Sequence, residues 1–202
     1  MTSKSKEIYD HLTLDFPHAL QPITTLSKNT SDKRDFVLST HLAFNFDLIQ
    51  NYCPVHPNQK EKSPDALFFY DDILYFVEFK EGDIKKDDVR LKIHEAIVSL
   101  FHYAISKNIS TREEFVNLDI RYAIIMRPTV RGTPQKSFLD TLEASSKYFN
   151  LKNLEGLLIK KTKVAFQPMS ILNLLNKITN GAVSSINVMN RDQTASESFN
   201  CT

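Results

Sequence analysis

A chain of 202 residues, 42% hydrophobic and 24% charged, has enough apolar material for one self-sufficient core, which excludes a disordered or fibrous protein. A formal net charge of +1 leaves a nucleic-acid partner open, since such binding needs a local basic surface and not a basic total. No apolar run is long enough to cross a bilayer, and Met1 leads into Thr-Ser-Lys-Ser-Lys-Glu and not into a signal segment, so the expectation is a cytoplasmic protein without membrane contact.

In chain order, a short helix is expected around Glu7, followed by a stretch interrupted by Pro17 and Pro22. Ser31 or Asp32 offers an N-cap for a helix carrying Phe36, Val37 and Leu38. Leu42 to Ile49 alternates apolar and polar residues and reads as a strand. Pro54 to Lys62 is polar, holds two prolines and reads as a loop. Its Cys53-Pro-Val-His56 spacing lacks a second ligand pair for zinc, and Cys201 lies in a polar end, so neither a metal finger nor a disulfide is expected.

From Asp65 to Lys80 aromatic and branched residues dominate, broken once by Asp71-Asp72, which predicts a β-hairpin that Gly82 ends. Lys85 to Lys107 carries Val89, Ile93, Ala96, Ile97, Leu100 and Ala104 at helical spacing. Leu118 to Met126 is a buried strand stopped by Pro128, Gln135 to Phe149 a helix, Leu157 to Ile159 and Val164 to Phe166 strands, and Ser170 to Ile178 a short helix. The reading is one α/β domain over residues 1–180, with a polar and loosely held tail over 181–202.

The hairpin carries the chemistry. With the turn at Asp71-Asp72, antiparallel pairing sets Tyr70 against Ile73, Phe69 against Leu74, Leu67 against Phe76 and, by continuation, Asp65 against Glu78. Lys80 lies two residues past Glu78 and shares its side of the sheet. Both hairpin faces are largely apolar, so the charged trio sits at the rim of a packed sheet. Two carboxylates about 5 Å apart repel by roughly 3 kcal/mol at an effective dielectric of about 20. One lysine offsets part of that charge, and a divalent cation would offset more.

Pro64-Asp65, followed across a hairpin by Glu78-Phe79-Lys80, resembles the PD-(D/E)XK nuclease superfamily with its restriction-endonuclease-like fold. The order of elements from about Ser31 to Met126 is similar to that family's helix, three strands, helix and strand, over roughly half the chain. The resemblance implies an αβββαβ core with a central mixed sheet flanked by helices, the later strands and helix being additions. It also implies a Mg²⁺-dependent endonuclease, with Mn²⁺ able to substitute, and nucleic acid, foremost DNA, as partner. Asp65, Glu78 and the backbone carbonyl of Phe79 would hold the metal, and Lys80 would assist the attacking water. Of the candidates for an additional acid, Asp47, Asp35 and Glu7, the choice falls on Asp47. Many relatives act as dimers, so a homodimer is compatible with the resemblance.

On the following helix Lys92, Glu95, Ser99 and His102 share one flank. Lys92 is an auxiliary candidate for phosphate contact, and Glu95 for orienting Lys92 or Lys80; Ser99 and His102 read as helix surface. Arg121, Arg127, Arg131 and the cluster Lys160, Lys161 and Lys163 are candidates for a nucleic-acid backbone, although lysines also guard exposed edge strands, the reading preferred for the cluster. Two other readings stay open: a nuclease-like module that binds without cutting, and an unrelated α/β interaction protein carrying the motif by chance.

Overall fold

A computed structural model describes residues 2–29, 33–49, 62–80, 86–127, 151–156, 159–189 and 194–201. The elements are α1 (Lys4–Asp15), β1 (Leu20–Pro22), α2 (Ile23–Leu26), β2 (Val37–Leu38), β3 (Leu42–Asn45), β4 (Ala66–Tyr70), β5 (Ile73–Lys80), α3 (Lys86–Ser106), α4 (Arg112–Val116), β6 (Asp119–Met126), β7 (Lys161–Ala165), α5 (Pro168–Ile178), β8 (Ser185–Met189) and β9 (Ser196–Asn200). Six strands form a mixed sheet in the order β1-β3-β4-β5-β6-β7, and β2-β8-β9 form a second sheet. The chain is thus an α/β protein, as its alternation of patterns predicts.

The central hairpin follows from its residues. Asp71 and Asp72 both take positive φ, 52° and 59°, as a two-residue turn of the primed type demands, and aspartate tolerates that region better than most side chains. The register is the one obtained by counting: Tyr70 pairs with Ile73, Phe69 with Leu74 and Leu67 with Phe76. β5 then runs parallel to β6, with Glu78 beside Ile124 and Lys80 beside Met126. The intervening crossover contains α3, as parallel neighbours require.

Each sheet face has its own core. Leu67, Leu74, Phe76, Tyr122, Ile124 and Val164 pack with Ile8 and Leu12 of α1 and with Val89, Ile93 and Ala96 of α3. Ala66, Phe68, Val77, Phe79, Ala123 and Ile125 pack on the other face with Ile171 and Leu172 of α5 and with Val37, Ile186 and Val188 of the small sheet. Helices cover one face and a helix plus a second sheet cover the other, which explains why β5 is buried along nearly its whole length.

Several expectations change. Phe36, Val37 and Leu38 do not lie in a helix: Val37–Leu38 is a strand that pairs with Val188 and Asn187. Apolar side chains there find cover in the small sheet, which no local cap signal reveals. The strand expected over 42–49 stops at Asn45, whose side chain accepts the N–H of Asp47 and starts a 3₁₀ turn over Phe46–Leu48. The polar end is not loosely held throughout, because Ser185–Met189 and Ser196–Asn200 pair antiparallel. Ile186 and Val188 alternate with polar neighbours and supply its buried side. β7 begins at Lys161, earlier than its apolar residues suggest; Lys161 and Lys163 are exposed on what is, among the described residues, an edge of the large sheet. The expected loop at 54–62, apart from Lys62, and Gly82, Pro128 and the helix at 135–149 lie outside the described residues, as do Cys53, His56 and Arg131.

Candidate active site

The open end of the β4–β5 hairpin gathers four charged side chains. Asp65 stands one residue before β4, and its Oδ2 accepts the backbone N–H of Phe79 at 2.6 Å. Glu78 and Lys80 point from β5 to the α1/α3 face, where Lys80 Nζ meets Glu78 Oε1. Lys92 comes down from α3 and places Nζ 2.7 Å from Glu78 Oε1 and 4.0 Å from Asp65 Oδ1. One ammonium therefore reaches both carboxylates, so Asp65 and Glu78 look to the same side of the sheet.

Exposure grades across the group. Glu78 is fully buried, whereas the side chains of Lys92, Asp65 and Lys80 keep 18%, 23% and 29% of their surface. Access from solvent is therefore by way of Asp65 and Lys80. Glu78 Oε1 is shared by two amines, but Oε2 is buried and has no hydrogen-bond partner among the described residues. A buried carboxylate oxygen without a donor is costly, and such an atom is what a bound cation would satisfy.

Burial, and then the neighbouring charge of Glu78, push the Asp65 carboxyl up to about 8, against the pull of Lys92, the Phe79 N–H and Lys80. Burial works against the charge on Lys92, yet Glu78 and Asp65, with a smaller contribution from Asp47, outweigh it and hold the ammonium above its usual value. Tyr122 lies on the same face of β6, and its buried hydroxyl has no hydrogen-bond partner among the described residues. Burial and the charges of Glu78 and Asp65 raise it well above the ordinary phenol range. The sequence marks this strand as buried but does not single out Tyr122, which joins the group through the parallel register that pairs it with Phe76, one alternation before Glu78.

The auxiliary candidates divide. Asp47 lies in the 3₁₀ segment, its carboxylate accepts from the Ser63 hydroxyl, and its charge still acts on Lys92. Among the described residues no three His, Cys, Asp or Glu side chains gather as a metal group. Glu95 orients neither lysine through the contacts seen: its Oε2 accepts the backbone N–H of Lys62 at 2.5 Å, while Asp88 holds Lys62 Nζ. Helix α3 thereby moors the segment that leads into Asp65. His102 is exposed, as expected of a helix surface, whereas Ser99 is buried and bonds back to the Glu95 carbonyl, so it is not a surface residue.

Glu7 pairs with Lys4 and Asp35 with Lys28, so neither joins the site. Arg121 grips Asp119 through two hydrogen bonds. Arg127 is buried, donating to the carbonyls of Met189 and Asp35 with its guanidinium 4.8 Å from the Phe36 ring centre, and is therefore no backbone contact for nucleic acid.

The donor set fits a hard divalent cation. Asp65 Oδ1, Glu78 Oε2 and the Phe79 carbonyl are oxygens, and Mg²⁺ is commonly bound by one or two carboxylates with water and phosphate completing its shell. Phe79 donates its N–H toward Asp65, and in an extended strand the carbonyl of the same residue points to that same lateral side. Comparison with protein-family models, with curated proteins and with solved structures yields no match.

Proposed function

We propose that this chain is a divalent-metal-dependent nuclease of the PD-(D/E)XK, restriction-endonuclease-like class that hydrolyses phosphodiester bonds, with DNA as the expected substrate. The observation that carries the reading is that one Lys92 ammonium reaches both Asp65 and Glu78, while the other Glu78 oxygen, Oε2, is buried and has no hydrogen-bond partner among the described residues. The topology supports it: α1, an antiparallel β3-β4-β5 meander, α3 and a parallel β6 follow the order that the resemblance implies, with α1 in the place first given to residues 31–38.

Asp65, Glu78 and the Phe79 carbonyl would hold Mg²⁺ or Mn²⁺. When bound, such an ion supplies Lewis acidity toward the phosphate and eases deprotonation of water. Lys80, the most exposed member, holds the attacking water and offsets charge gathering on the phosphate. Phe79 fixes Asp65 through its N–H, so the acid is oriented before a substrate arrives.

Wild type should cleave nucleic acid in Mg²⁺ or Mn²⁺ and stop on chelation, with Asp65→Ala, Glu78→Ala and Lys80→Ala each slower by about a hundredfold or more. Cutting that survives all three substitutions unchanged would sink the proposal. Offering duplex DNA, single-stranded DNA and RNA in parallel identifies the substrate.

A second reading draws on one observation: two amines already compensate Glu78 without an ion. It makes the chain a nuclease-like module that binds nucleic acid or protein without hydrolysis, and retention of nucleic acid with no cleavage in either metal would favour it.

A further inference from the structure

We propose that the Lys92 ammonium is an internal counter-cation that occupies the two acids in the metal-free protein and yields part of that place when a divalent ion binds, so that Lys92 sets the affinity of the site for the ion. The inference rests on reading Asp65 and Glu78 as metal ligands.

Three observations lead to it. Lys92 lies in the second turn of α3, between Val89, Ile93 and Ala96, which pack on the sheet, so the helix delivers its amine inward and not to solvent. Nζ stands 2.7 Å from Glu78 Oε1 and 4.0 Å from Asp65 Oδ1, a bridging place between the carboxylates. Its side chain is only 18% exposed, against 29% for Lys80. A phosphate contact would need its donors turned outward. These are turned onto both acids, whereas Lys80 meets Glu78 alone and is the more exposed amine, so Lys92 is a positioning residue and Lys80 remains the amine that faces substrate.

The electrostatic consequence has two signs. Without an ion, Lys92 relieves repulsion between two carboxylates in a poorly solvated place, and its loss destabilises the fold. With an ion, the same ammonium repels a divalent charge a few ångströms away, and its loss tightens binding. A residue that merely packs or braces α3 produces only the first effect.

The test compares wild type, Lys92→Met and Lys92→Gln by thermal unfolding in chelator and by Mn²⁺ titration calorimetry at a fixed, mildly alkaline pH. The expected result is a lower unfolding temperature for the variants in chelator, together with Mn²⁺ binding at least about tenfold tighter than wild type. Should Lys92→Met fail to fold, Lys92→Gln, which keeps a hydrogen-bond donor and drops the charge, carries the same comparison. Variants that bind Mn²⁺ equally or more weakly than wild type overturn the counter-cation and leave the metal site standing. Absence of Mn²⁺ binding in every protein overturns the metal reading itself, and the counter-cation with it.

Discussion

The backbone N–H of Phe79 donates to Asp65 Oδ2 at 2.6 Å, so the strand that carries Glu78 and Lys80 also holds the acid that precedes its neighbour. The contact is made by main chain, and so survives any side-chain substitution at position 79 that keeps the strand. It leaves Oδ1 as the Asp65 oxygen turned toward Lys92.

The raised Asp65 carboxyl fixes the sign of a pH dependence. Between its ordinary value of 3.8 and about 8 the folded chain keeps a proton that the unfolded chain has lost. Stability in chelator should therefore be greatest in acid near the ordinary value and decline as pH rises through about 8. Asp65→Asn should flatten that decline. Urea unfolding from about pH 5 to about pH 9 checks it, and a wild type that gains stability across this window would contradict the assignment.

Tyr122 offers the reverse of the usual buried-residue experiment. Its hydroxyl is enclosed without a partner among the described residues, so Tyr122→Phe should preserve the packing and stabilise the protein by about 1 kcal/mol. A loss of similar size in chemical denaturation would reveal that the hydroxyl is satisfied.

Arg127 ties the small sheet to the large one. Its backbone N–H donates to the Lys80 carbonyl, and its guanidinium donates to Met189 and Asp35 at 2.6 Å each. Arg127→Met should cost about 2–4 kcal/mol, from hydrogen bonds to a charged group. Hydrogen exchange should show faster exchange in β8 before β5, and uniform loosening of both sheets would refute the local role.

The hairpin turn can be improved. Asp72 sits at φ 59° beside another aspartate, where glycine carries no steric cost, so Asp72→Gly should stabilise by about 0.5–1 kcal/mol. It forfeits a surface hydrogen bond from the Ser3 hydroxyl. Destabilisation in thermal unfolding would show that this surface bond outweighs backbone strain.

The site was legible in the sequence because a hairpin obeys local arithmetic: a two-residue turn and a period of two fix which side chains share a face, and Asp65, Glu78 and Lys80 follow. Helix α3 and strand β6 were legible from long, consistent patterns. Residues 37–38 were not, since their partner β8 lies far along the chain and a two-residue strand has no period to detect. The Glu95 contact is hidden from the sequence for a related reason. Helical spacing gives its flank, whereas its partner at Lys62 depends on where a distant segment crosses.

The pairing of Arg127 with Met189 gives the last strands a reach beyond their own sheet. Shortening the chain just before Ser185, a trimming that the polar composition of this end invites, would remove a carbonyl, that of Met189, that shelters an enclosed guanidinium. The damage would arrive at the end of β6, beside Lys80, and an assay of such a truncated protein would underreport whatever activity the intact chain possesses.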